Sequence, residues 1–76
     1  MKKIRIYADF NHGTTDENCL LDVPGAIADI NQHDFKGHQN VILYDEELEI
    51  DATLKFDGVW IGIINPNSRF RKNAQK

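Results

Sequence analysis

Two groups of imidazole and carboxylate side chains lie close together in the sequence. One is Asp9, His12 and Asp16, the other His33, Asp34 and His38. Both ligand types suit zinc or another divalent metal. Neither group has a specific ligand spacing such as His-Glu-x-x-His. The plainer reading is a pair of solvated loop histidines, with His33 favouring a helix C-terminus. Asp45, Glu46, Glu47, Glu49 and Asp51 form an acidic patch. A calcium loop needs a fixed spacing of oxygen ligands and a glycine turn, which this patch lacks. A solvated turn that also protects a strand edge accounts for it. Glu49 and Asp51 fall on the same wet face. Cys19 has no basic neighbour in sequence to lower its pKa and reads as a buried structural thiol. The five glycines match no phosphate-binding fingerprint. No metal, cofactor or catalytic set is therefore expected.

The remaining candidates are binding residues. Trp60 and Ile64 are expected on the outer face of a C-terminal hairpin, with Gly62 between them and Tyr7 facing outward by the same logic. A tryptophan beside a side-chain-free glycine makes a shallow apolar groove where a ligand can stack. Arg69, Phe70 and Arg71 follow directly and could extend that surface. The competing arrangement buries Trp60 under the helix or the chain end.

These positions depend on the strands that carry them. From Leu48 to Phe56 every even residue is apolar and every odd residue polar, the period of a half-buried strand. Asp57-Gly58 follows, the signature of a two-residue type I′ turn, which needs positive φ at both central positions. Val59, Ile61 and Ile63 then face the core, and Trp60 is out of phase with them. Earlier in the chain, residues 3–10 predict a strand with Ile4, Ile6, Ala8 and Phe10 on one face. Cys19 to Val23 predict a short second strand paired with the first. Apolar residues at 23, 27 and 30 predict a helix over 24–33, with Asp22 as N-cap, Pro24 in its first turn and Gly37 at its exit. Asn40 to Tyr44 predict a third, central strand.

The order is β-β-α-β-β-β. It implies a mainly β fold with one short helix, either a small SH3-like barrel or a rolled antiparallel sheet, with an OB-like barrel as the alternative. Residues 1–68 would form this single barrel-like domain, and 69–76 a basic, flexible tail. Ile6 to Asn11, Val41 to Glu49 and Phe56 to Trp60, with a Pro24-Gly25 helix start between them, resemble a set of small bacterial proteins of similar length. That resemblance implies a bacterial, soluble, β-rich domain and carries no functional residue across. Leu43-Tyr44-Asp45 is similar to a motif of proline-peptide-binding SH3 domains, but here it lies mid-chain, continues Glu46-Glu47 and has a single Trp to work with.

Seventy-six residues make one domain, with no room for a large enclosed cavity. No apolar run approaches the roughly 20 residues of a membrane helix. One cysteine excludes an internal disulfide and fits the cytoplasm. Residues 1–68 hold five cations against all twelve acids, a balance of −7, while 69–76 hold four cations and no acid. An acidic body repels phosphate backbones. The expectation is a non-catalytic protein-binding or regulatory module that uses the outer face of the last hairpin. Its partner is another protein, with a homodimer possible and nucleic acid disfavoured. The alternatives are a small nucleic-acid-binding barrel and a small metal-dependent enzyme.

Overall fold

A computed structural model describes residues 4–15, 17–33 and 39–73. The chain is mainly β with one short helix. The elements are β1 (Ile4–Tyr7), β2 (Asn18–Leu20), α1 (Pro24–Asn31), β3 (Gln39–Tyr44), β4 (Leu48–Asp57), β5 (Val59–Ile64) and β6 (Arg71–Lys72). The strands form one sheet in the order β1-β3-β4-β5-β2, with β6 paired to β4. This sheet does not close into a barrel, so neither the SH3-like nor the OB-like arrangement is completed. It is also mixed. β1 runs parallel to β3, with α1 in the connection between them, and β2 pairs with β5 and not with β1. A parallel pair needs a long crossover, and the 31 residues between Tyr7 and Gln39 supply it.

β4 organises the sheet because its two edges are shared differently. One edge pairs with β3 throughout Glu49 to Leu54. The other pairs with β5 from Ala52 to Asp57 and with β6 at Leu48 and Glu49. Between β5 and β6 the chain swings out and returns. Asn65 N donates to Asp51 O at 3.0 Å, and Asp51 N donates to Ser68 Oγ at 3.1 Å, so the excursion stays hydrogen-bonded to β4. The basic end is thus built into the sheet through Arg71 and Lys72, and Asn73 is buried. The expected flexible tail does not describe residues 71–73. Residues 74–76 lie outside the described set.

The β4–β5 turn differs from the expected type I′. Phe56 pairs with Trp60 and Asp57 with Val59, so the hairpin is centred on Gly58 alone. Gly58 has φ +72°, and among the described residues no non-glycine has positive φ. Moving the centre of a hairpin by half a residue changes each pairing by one, which exchanges the faces of the returning strand. Leu54 lies opposite Gly62 and Ala52 opposite Ile64. Ile64 is therefore core, and Val59 and Ile63 are outside at 39% exposure each.

The core holds Ile6, Ala8, Val41, Leu43, Ile50, Ala52, Leu54 and Ile64 from one face of the sheet. Cys19 and Leu21 join them, and Ala26 and Ile30 come from the helix. The even alternation of β4 is correct at its centre, but its ends emerge. Leu48 is 38% and Phe56 60% exposed. The sheet is strongly rolled. In a flat sheet Leu43 on β3 and Gly62 on β5 would stand about 16 Å apart, from a strand spacing of about 4.8 Å and a rise of about 3.3 Å. Here a Cβ on Gly62 would meet Leu43 Cδ1 at 2.6 Å. The glycine is where the sheet closes over its own core.

The helix begins at Pro24, with Val23 as its N-cap in extended conformation. Asp22, the expected cap, instead meets His12 Nε2 at 2.7 Å. The helix ends at Asn31, before His33. Gly37 lies outside the described residues. Ala26 and Ile30, one turn apart, face the core, while Ile27 is 41% exposed. A Cβ on Gly25 would meet the Tyr7 ring at 2.8 Å, which explains why this first turn carries a poor helix former.

Gly62→Ala is expected to lower stability by about 1–3 kcal/mol, because Leu43 is fully buried and cannot withdraw. Gly58→Ala is expected to cost about 1–2 kcal/mol through its left-handed backbone. Urea unfolding measures both. A Gly62→Ala protein as stable as the parent would contradict the rolled geometry.

Candidate functional site

The six candidate binding residues do not form one surface. The register separates them. Trp60 lies on the core side, half-buried and packed against the core cluster, with Phe56 edge-on at 5.1 Å. Ile64 is buried. The pairing of these two with an exposed groove on the outer face is therefore corrected. Tyr7 is half-buried on the outer face of β1, its ring edge-on to Tyr44 at 5.9 Å. Arg71 crosses the outer face at β6. Arg69 and Phe70 are exposed on the excursion between β5 and β6, and Phe70 meets Phe10 edge-on at 5.0 Å.

The outer face has two halves of opposite character. Over β1, β3, β4 and β6 it is polar and interlocked. Glu49, expected to be wet, is 6% exposed. It lies on the face its phase assigns, where Arg5 Nη1 reaches Oε1 at 3.2 Å and Arg71 Nε reaches Oε2 at 2.8 Å. Arg71 Nη2 also reaches Asp51 at 3.1 Å, and Arg5 Nη2 donates to Asn73 Oδ1 at 2.7 Å. Asn73 Nδ2 donates in turn to Asp45 O at 2.7 Å. Burial works against the Arg71 charge, but Asp51 and Glu49 outweigh it and the guanidinium pKa rises. Arg5 also lies over the Tyr44 ring, 4.8 Å from its centroid. This network fastens β6 to the sheet, so Arg71 is a structural residue.

Asp29, a helix residue not singled out from the sequence, closes the β1 edge. Its carboxylate accepts from Tyr7 N at 2.8 Å and from the Tyr44 hydroxyl at 3.3 Å. Burial, then the neighbouring Asp29 carboxylate, push the Tyr44 phenol up. At the opposite edge, Thr15 N donates to Asn18 O and Leu20 N to Gly13 O, covering β2. Both edges of the sheet thus have partners, and strand addition is blunted there.

Over β5 the outer face is apolar, and β2 sets Leu20 and Asn18 beside it. Val59, Ile61 and Ile63 alternate outward along β5, with Leu20 opposite Ile61 and Thr53 opposite Ile63. Val59–Ile64 contains no polar side chain. That is the composition of a strand covered on both faces.

The metal candidates separate. His12 pairs with Asp22, while Asp9 Oδ1 accepts from Asn11 N at 3.0 Å within its own turn. Asp16, Asp34 and His38 lie outside the described residues. Among the described residues no group of three or more His, Cys, Asp or Glu converges on a metal-sized site. Asp45 Oδ1 accepts from Glu47 N and Leu48 N, both at 2.7 Å, which is turn-capping work. Cys19 is buried, and desolvation pushes its thiol up despite a contact from Thr14 Oγ1 at 3.1 Å. It is not a poised nucleophile. No described helix is long and apolar enough to cross a membrane.

Arg5→Ala is expected to cost about 2–3 kcal/mol, since it leaves the Glu49 carboxylate buried with one partner fewer. Arg71→Ala should cost less, about 1–2 kcal/mol, because its side chain is 42% exposed. Lys72→Ala should stay within about 0.5 kcal/mol. Urea midpoints check the order; equal effects at all three would contradict the network. Set beside known proteins, the chain matches no family model, no curated protein and no solved structure.

Proposed function

We infer that this is a non-catalytic protein-binding module whose contact surface is the outer face of the β4–β5 hairpin. The observation that carries the reading is the two-sided apolar character of β5. Trp60 and Ile64 fill the core side, while Val59, Ile61 and Ile63 face outward with Leu20 beside them. Outward apolar residues in a row on a sheet are a recognised mark of an interaction surface. The covered sheet edges favour contact through this face over strand addition.

The partner is another protein, a second copy of this chain included. The acidic body disfavours phosphate backbones, and Arg71, one of the few basic side chains near the chain end, is already engaged by two carboxylates. The single buried thiol is consistent with a cytoplasmic setting.

Ile63→Lys tests this reading, because a residue 39% exposed tolerates a charge with little loss of stability. The wild type is expected to self-associate in sedimentation equilibrium or to capture a defined protein by cross-linking in lysate. Ile63→Lys should weaken that association at least about tenfold, the size of losing one well-buried anchor, with its circular dichroism unchanged. An Ile63→Lys protein that folds and associates as strongly as the parent would overturn the assignment.

A further inference from the structure

Three of the residues first singled out, Ile64, Arg69 and Phe70, meet at an open groove of 290 Å³ at one end of the core. Its floor is apolar, with Ile50 and Ile64 at 3% and 7% exposure. Phe70 forms a wall whose ring is braced by Phe10 at 5.0 Å.

The rim includes hydrogen-bond donors beside Thr15, whose hydroxyl is engaged in its own turn. Ser68 Oγ accepts from Asp51 N, which leaves its own hydroxyl proton available. Asn65 Oδ1 accepts from Asn67 N at 2.9 Å, which leaves its amide NH₂ available. Arg69 also lines the groove, and among the described residues it has no ion pair or side-chain hydrogen bond. Arg5 and Arg71 are both held by Glu49.

No described residue lining this groove is acidic, although the chain holds twelve acids. The contrast with a second groove of similar size, 300 Å³, is direct. Tyr7, Asp9, Asn11, Asp45, Glu46 and Glu47 line that one, and its aspartates cap their own turns.

We propose that the groove beside Arg69 binds a small apolar monocarboxylate. The hydrocarbon part lies on Ile50, Ile64 and Phe70, and the carboxylate meets the Arg69 guanidinium with help from Ser68 and Asn65. The volume lies at the small end of ligand sites, which limits the guest to about ten non-hydrogen atoms. A planar guanidinium can grip a carboxylate through two parallel hydrogen bonds, an arrangement open to Arg69. This site lies on the core side of the sheet and goes beyond the outer-face reading.

The test is titration of the full chain with phenylacetate, followed by backbone amide chemical shifts. Saturable shifts are expected at Ile50, Ile64, Arg69 and Phe70, with a dissociation constant on the order of 1 mM for a ligand of this size. Phenylacetamide, uncharged and of the same shape, should bind about tenfold more weakly. Arg69→Gln should lose about the same factor toward phenylacetate and little toward the amide, as expected for a partly exposed charge-assisted contact. No saturable shift at about ten times that concentration would overturn the proposal. So would equal affinity for acid and amide, or shifts confined to other residues. The acid–amide comparison is made on the unmodified protein and holds whatever Arg69→Gln does to the fold.

Discussion

The structure depends on where the β4–β5 hairpin turns. A single backbone position, Gly58 at φ +72°, sets the centre of the turn. Every pairing from Asp57–Val59 to Ala52–Ile64 follows from it. Because side chains alternate with a period of two, the centre also decides which half of an all-apolar strand becomes core. Gly62 then falls on the inner side, where only a residue without a side chain lets Leu43 approach from two strands away. The roll of the sheet and the burial of Ile64 are thus consequences of one local conformation.

The same geometry divides the molecule's polar chemistry from its binding surfaces. Once β5 ends at Ile64, the chain swings out and returns to β4 as β6. That return brings Arg71 over Glu49 and Asn73 beside Arg5. Electrostatics here fasten the chain end, and they leave Arg69 at the groove rim. The two sheet edges are engaged by different means, a helical carboxylate at Tyr7 of β1 and the 13–15 segment at β2. Among the described residues, the outer side of β5 and the groove beside Arg69 stay open and apolar. Asp45 caps its own turn, Glu49 is held by two arginines and the Cys19 thiol is buried.

Much of the fold was legible in the chain. The alternation in β1 and the centre of β4, the central place of β3, the Pro24 helix start and the acidic turn at Asp45 all follow from local periodicity and turn chemistry. Three features were not legible, each for a physical reason. Asp57-Gly58 permits both a two-residue turn and one centred on Gly58, and an apolar strand gives no alternation to arbitrate. The parallel β1–β3 pairing is a long-range contact that no local pattern encodes. Glu49 sits on the face its phase assigns, but its burial depends on arginines 44 and 22 residues away in sequence. Of the candidate site residues, Trp60 and Ile64 lie on the face opposite to the one expected, because the turn reversed which of the strand's two faces is exposed.

The core and the exposed faces depend on the register of this hairpin, and cross-strand Hα–Hα contacts by NMR read that register directly. Contacts are expected between residues placed symmetrically about Gly58, such as Thr53 with Ile63 or Leu54 with Gly62, as the pairing requires. Contacts joining Leu54 to Ile61 or Phe56 to Val59 would mark a two-residue turn. They would return Trp60 and Ile64 to the outer face and contradict both the core and the binding surfaces described for this protein.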